Sequence, residues 1–294
     1  MKSELGTQYK VGKNFKLKDA PTDISSRVKP AEAKEALKKI RKDLAAFQEK
    51  LYAHNRYSVL VCLQGMDTSG KDSLIREVFE EFNVRGVVVN SFKTPSALEL
   101  QHDYLWRHAI ALPEKGKFGV FNRTHYENVL VTRVHPEYLL NEKIPGIENV
   151  KDLPRDFWEK RFGQINHFEE QLAENGTLLF KFFLNLSKKE QKARLLRRLE
   201  KEKHQWKFSP GDLAERKLWE RYMDCYEDAI RHTSPPRAPW HVIPADDKDI
   251  CRYLVASILL SRLETYKDIA YPKPEKAIQE HIRQYQQQLE QEKS

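Results

Sequence analysis

The run Gly65-Met66-Asp67-Thr68-Ser69-Gly70-Lys71-Asp72 is where residue types and spacing best suit chemistry on phosphates. Its two glycines let a loop curl until backbone N–H groups point inward, and a lysine directly after the second reaches the anion so held. The expected ligand set is Gly65, Met66, Thr68, Ser69, Gly70, Lys71 and Asp72. The run leaves the GxxxxGK[ST] pattern at its end, where Asp72, followed by Ser73, stands in place of the hydroxyl that usually meets Mg²⁺. Asp67 is the more informative departure. A carboxylate inside the loop repels bound phosphates unless a cation bridges them, so Asp67 reads as a Mg²⁺ ligand or a base, with a cap or turn residue as the plainer alternative.

A second constellation is Asn122-Arg123-Thr124-His125-Tyr126-Glu127, directly after an apolar run that suits a strand. The carboxyl end of a parallel strand faces the ligand crevice, which places Asn122 and Arg123 across from the phosphate loop. Arg123 has the planar fork for a bidentate phosphate contact, and Asn122 can hold Mg²⁺ directly or through water. Glu127, one helical turn beyond Arg123, suits a second metal or a nucleotide amine, or else an ion pair; His125 reads as a hydrogen-bonding residue. Lys93 occupies the equivalent end of the preceding strand as a phosphate ligand, and Arg133 lies further along the helix that Glu127 opens. A third, basic constellation spans 187–207, with nine Lys or Arg against three Glu. Arg194 and Arg198 share a helical face there, with Arg197 turned away, and such a segment suits a mobile lid that brings cations over a phosphoryl group. A solvated basic helix is the plain alternative.

The elements that must hold these residues are legible around them. Apolar, β-branched runs at 57–64, 87–90, 118–121, 178–184 and 240–243 predict strands. Helical patterns fall between them at 97–111, 155–174, 188–204 and 212–232, and alternation of this kind predicts an α/β fold with a parallel sheet covered on both faces. The helix from Pro30 shows Ala33, Leu37, Ile40, Leu44, Phe47 and Leu51 on one face, with Lys34, Lys38, Lys39, Arg41 and Lys42 elsewhere as a solvated surface or a rail for an anion. After Gly70, the stripe Leu74, Ile75, Val78, Phe79 and Phe82 predicts the helix behind the loop. Residues 1–29 read as an irregular arm, 30–270 as one domain with a lid at about 187–212, and 271–294 as a thin amphipathic helix carrying Ile278, Ile282, Tyr285 and Leu289.

The whole chain has 294 residues, 40% of them hydrophobic and 11% aromatic, which suffices for a real core and excludes disordered and fibrous classes. No apolar run reaches the roughly 18 residues of a membrane span and the N-terminus is polar, so a cytoplasmic protein with no membrane partner is expected. Cys62, Cys225 and Cys251 lie far apart and read as core residues. A net charge of +8 points to a polyanion without choosing among nucleic acid, phospholipid, nucleotide and inorganic phosphate.

Taken in order, GxDxxGK at Gly65 to Lys71, FKTPS at Phe92 to Ser96, FNRTHYE at Phe121 to Glu127 and WKFSPGD at Trp206 to Asp212 resemble the polyphosphate kinase type 2 family. The resemblance covers about residues 15–270, and His125-Tyr126-Glu127 resembles its class III subgroup, where many relatives read Trp-Tyr-Asn. It implies a P-loop, thymidylate-kinase-like fold with a helical lid. It also implies Mg²⁺, with Mn²⁺ as a substitute, and transfer of the terminal phosphoryl group of polyphosphate to AMP and ADP, giving ATP reversibly. Guanine nucleotides are further candidate acceptors, nucleic acid is not a partner, and a homo-oligomer is expected. Many relatives have Asp-Arg where this chain has Asn122-Arg123, which shifts metal binding toward Asp67. On this reading Asp67, Lys71 and Arg123 are catalytic and Lys93, Asn122, Glu127, Arg133, Arg194 and Arg198 bind phosphate or nucleotide. The rivals are an ATP-dependent nucleoside monophosphate kinase, which shares loop, sheet and lid, and a nucleic-acid-binding module, which needs stacking aromatics beyond Trp206 and Phe208.

Overall fold

The structure, a computed structural model, describes residues 8–12, 14–206 and 208–292. Residues 1–7 and Lys13 of the expected arm and Lys207 of the expected lid lie outside the described residues.

Five strands form one parallel sheet in the order β2-β3-β1-β4-β5: β1 Ser58–Gln64, β2 Val87–Ser91, β3 Phe118–Asn122, β4 Thr177–Asn185 and β5 Trp240–Pro244. Every residue of β1 and of β4 is buried, which is why both read as near-continuous apolar runs, broken in β4 only by Lys181, rather than as alternations. The chain leaves β1 toward the β2 edge, returns to β3, and then crosses to β4 on the far side, so the direction of winding reverses beside β1. Such a reversal opens a crevice at the carboxyl ends of the strands, and the phosphate loop follows β1 directly into it.

The principal helices are α1 Pro30–His54, α2 Lys71–Val78, α3 Glu127–Val134, α4 Phe157–Glu174, α5 Lys188–Glu200, α6 Pro210–Lys217, α7 Trp219–His232, α8 Lys248–Leu263 and α9 Lys276–Gln291. On one face of the sheet α1 buries the expected stripe from Ala33 to Leu51 against α8, while α3, α4 and α7 cover the other face. The Ser187 hydroxyl accepts from the Glu190 N–H and Asp247 accepts from two N–H groups of α8, so the caps lie where Ser and Asp predict them. All three cysteines are buried and free. Among the described residues no helix is long and apolar enough to cross a membrane.

Four helical expectations need correction. Residues 97–111 form only the short turns Glu99–Gln101 and Trp106–Ala109, because Glu99 and Asp103 turn back to the Ser96 and Leu105 N–H groups and compete with a helix there. The basic helix ends at Glu200, and residues 212–232 divide at Leu218 into α6 and α7. In α2 the helix stops at Val78, and Phe79 and Phe82 reach the core from the turn beyond, ring against ring at 5.0 Å. The irregular lead-in packs on the body. Lys10 bridges antiparallel to His241, with the Val11 N–H donating to Trp240 O and the Val242 N–H to Tyr9 O, so this segment covers the β5 edge.

Candidate active site

Parallel pairing sets Leu63 of β1 beside Asn122 of β3, so the chain leaves both strands side by side. From β1 it enters the loop through Gly65 at φ 152° and meets α2 through Gly70 at φ 106°. A β-carbon on Gly65 would sit 2.9 Å from Ser69 Oγ and 3.0 Å from Leu184 O, so the turn has no room for a side chain. Thr68 is also left-handed at φ 65°, and its buried hydroxyl has no protein partner among the described residues. Met66 points into the core, and Ser69 is buried beneath the loop.

Lys71 folds back over this loop, its Nζ 2.6 Å from Gly65 O and 3.3 Å from Met66 O. Burial first, and then the Arg123 charge, lowers its pKa to about 8. The ammonium is thus held by weak neutral acceptors in a site that favours arrival of an anion.

Arg123 leaves β3 at φ 60°, while its N–H still donates to Leu63 O. That turn carries the guanidinium between two carboxylates, 2.7 Å from Asp67 Oδ1 and 3.2 Å from Glu127 Oε2. The Glu127 carboxylate, with Asp67 beside it and against the opposing effect of burial, holds Arg123 above the ordinary arginine range. Beside it Asn122 Nδ2 donates to Asp72 Oδ1 at 2.7 Å, leaving Asn122 Oδ1 buried with no partner among the described residues. The donors near the loop, Asp67, Asp72 and the orphaned Asn122 oxygen, are all oxygens. Mg²⁺ suits them, since that ion commonly takes one or two carboxylates and leaves its other positions to water and phosphate. No cluster of three acidic, His or Cys side chains fit to hold a metal unaided occurs among the described residues.

A cavity of about 640 Å³ opens on the other side of Arg123. Phe92, Tyr104 and Tyr138 contribute aromatic walls, Lys93, Arg107 and Arg123 cations, and Glu99, Asp103, Glu127 and Glu142 carboxylates. Arg107 is buried under Phe92 and donates to Lys93 O at 2.8 Å, which fixes the turn that carries Lys93. Lys93, Arg123 and Glu127 of this wall are expected from the sequence, whereas Glu99, Asp103, Tyr104 and Arg107 escape it because 97–111 reads as a helix; the run Asp103-Tyr-Leu-Trp-Arg107-His, mixing aromatic and ionisable types, was the available signal.

The basic segment is placed differently from its expected role. Arg194 is buried and all five of its N–H groups are engaged: Thr68 O and Ser69 O of the loop, Ala245 O and Asp246 O beyond β5, and Glu190 on its own helix. Gln191 adds a bond to Asp67 O at 3.1 Å. Helix α5 is therefore docked on the loop, and Arg194 faces protein carbonyls rather than an open mouth in this conformation. Arg198 pairs with Asp212 at 2.8 Å; burial, and then the Asp67 charge, raises the Asp212 pKa, which marks how near the start of α6 comes to the loop. Arg197 turns to Glu190, and Arg133 leaves the site altogether, bonding Asp228 at 2.6 Å and lying over Trp158 and Phe162.

Comparison with known proteins fits this geometry. The family model described as Polyphosphate kinase 2 matches residues 27–271. An ADP-polyphosphate phosphotransferase of Rhodopseudomonas palustris is 46% identical over 246 residues, 84% of this chain and 84% of the relative. An AMP/ADP-polyphosphate phosphotransferase of Meiothermus ruber is 44% identical over 265 residues, 90% of this chain and 93% of the relative. Among solved structures, a Polyphosphate Kinase 2 from Arthrobacter aurescens superposes with a TM-score of 0.87 at 35% identity, covering 96% of each chain.

Proposed function

The chain belongs to the Polyphosphate kinase 2 family, and we propose that it moves the terminal phosphoryl group of inorganic polyphosphate reversibly to a nucleotide, accepting both AMP and ADP. The observation that carries this reading is the position of Arg123, which stands between the phosphate loop and the 640 Å³ cavity and lines the latter. A phosphate chain in the loop and a nucleotide in the cavity then meet at one guanidinium. The cavity has an aromatic lining for a base and carboxylates able to accept from its amine.

An oxygen of the acceptor phosphate is already ionised, so no general base and no covalent intermediate are needed. Catalysis then consists of alignment and charge neutralisation. Lys71 is freed from Gly65 O to bind the transferring group, and Arg123 exchanges its carboxylate partners for phosphate oxygens. Lys93 orients the acceptor's phosphate at the cavity wall, and Glu127 accepts from the nucleotide or returns to Arg123 as the product leaves. Asp67, with Asp72 and Asn122, would hold Mg²⁺, for which Mn²⁺ can substitute; when bound, the ion offsets charge on the phosphate oxygens. Arg194 supports the loop from behind, while Arg198 reaches the phosphates only if its bond to Asp212 opens. We place the enzyme in the cytoplasm, where its nucleotide acceptors are found, and as a homo-oligomer.

Incubation of purified protein with Mg²⁺, polyphosphate and either ADP or AMP tests the reading. ATP should form from ADP, ADP followed by ATP from AMP, and chelation of the metal should stop both. An enzyme that ignores polyphosphate but phosphorylates AMP from ATP is instead a nucleoside monophosphate kinase.

A further inference from the structure

The segment from Arg123 to Glu127 turns its two ends toward the site and its middle into the protein. Thr124, His125 and Tyr126 are all wholly buried. The Thr124 hydroxyl accepts from Gln64 Nε2 and from the Tyr126 N–H, each at 3.1 Å, which ties the segment to the end of β1. Below it, Glu169 of α4 meets both His125 and Tyr126: its Oε1 lies 3.1 Å from His125 Nε2 and accepts from Tyr126 Oη at 2.7 Å. Lys181, in the middle of β4, donates to Glu169 Oε2 at 2.5 Å, to Tyr126 Oη at 3.0 Å and to Thr233 O at 2.6 Å.

Glu169 and Lys181 are each no more than 1% exposed, so neither can reach substrate. As a device for stability alone such a pair is a poor choice, since apolar residues of similar size often serve a core as well or better. Apolar residues here would, however, leave the Tyr126 hydroxyl and His125 Nε2 without anchors. The segment they anchor holds Arg123 in the left-handed region, a conformation that a residue with a side chain keeps only where its surroundings enforce it.

We propose that Glu169 and Lys181 are positioning residues, which act through His125 and Tyr126 to fix where Arg123 and Glu127 present themselves to the transferring phosphoryl group. The inference rests on the site reading above for Arg123. Misplacement of a phosphate-gripping group by an ångström costs up to about a hundredfold in rate, and it costs alignment rather than attraction. The pair therefore acts on kcat and leaves the loop's hold on polyphosphate intact.

Two variants test this, each shaped to keep the core filled: Tyr126→Phe, which removes one hydroxyl, and the charge-free double change Glu169→Gln with Lys181→Met. Both should lower kcat about tenfold or more, with KM for polyphosphate within about twofold of the parent. Thermal unfolding of Tyr126→Phe should stay within a few degrees of the parent. Unchanged kcat in either variant, or loss of activity only in proportion to lost folded protein, overturns the proposal. Arg123→Lys is the separate control: if it keeps full activity, the site reading itself is wrong, whereas an inactive Arg123→Lys beside a fully active Tyr126→Phe rejects only the role of the pair.

Discussion

Lys71 spends its charge on two carbonyls and is almost sealed from water, so its proton is held less tightly than that of an ordinary lysine. The sign of the pH effect follows. The ammonium form that attracts phosphate predominates below pH 8, is lost above it, and regains stability once phosphate binds. kcat/KM for polyphosphate, which reports the free enzyme, should therefore fall about tenfold per pH unit above the Lys71 pKa, while the limb in kcat lies at higher pH. Lys71→Arg should lose activity and flatten that limb, since a guanidinium does not titrate in this range. A limb unchanged in Lys71→Arg would assign the ionisation elsewhere. At this scale the sequence is legible where a residue's type has few other uses, as with Gly65, Gly70, Lys71, Asp67 and Arg123. It is misleading where one type serves two ends: Arg133 and Arg194 look like phosphate ligands and are committed to protein partners. Lys181 had a readable signal, since a lysine within Leu-Leu-Phe-Lys-Phe-Phe-Leu must find a buried partner, but its partner Glu169 lies on another element and nothing local names it.

Among the elements, α5 shows how a helix that resembles a lid can instead be part of the floor. Its Arg194 joins two loop carbonyls to the two carbonyls after β5, so the loop's N–H groups face the crevice partly because its carbonyls are held behind. Arg194→Met would leave four carbonyls short of a donor. Charged hydrogen bonds contribute roughly 1.5–3 kcal/mol each, not additively, so a loss on the order of 3 kcal/mol or more is expected. Thermal unfolding should report that loss, and KM for polyphosphate should rise with it. Arg194→Lys should recover little, because three donors on a flexible stem cannot span the same four oxygens. Full recovery by Lys would show that charge alone matters there. Strands β1 and β4 were readable because buried parallel strands make near-continuous apolar runs, edge strand β2 by its β-branched valines alone, and the caps because Ser187 and Asp247 have few other reasons to stand where they do. The breaks at Lys201 and Leu218 were not, since neither position holds a Gly or a Pro.

On the scale of the whole molecule, charge and apolar surface each leave something unspent inside the chain. The net charge of +8 is unevenly used: Arg41 of α1 is tied to Glu77 and Glu80, whereas Lys34, Lys39 and Lys42 remain exposed. Apolar surface is left over on α9, where Ile278, Ile282, Tyr285 and Leu289 form one stripe and no residue of the helix is buried. A helix that buries nothing against its own chain contributes little to that chain's stability, because tertiary packing rather than propensity stabilises most helices. Removal of residues 273–294 should therefore shift the thermal midpoint of the remaining domain by no more than about 2 °C in a dilute, monomeric sample, a change worth about 1 kcal/mol at this size. Activity on short polyphosphate should survive, as every group of the proposed site lies before Leu218. Should copies associate through the exposed stripe, light scattering of the parent and the truncated chain would differ in mass per particle while their single-copy activities agree. A large fall in the midpoint under monomeric conditions would mean instead that α9 packs on its own domain in solution.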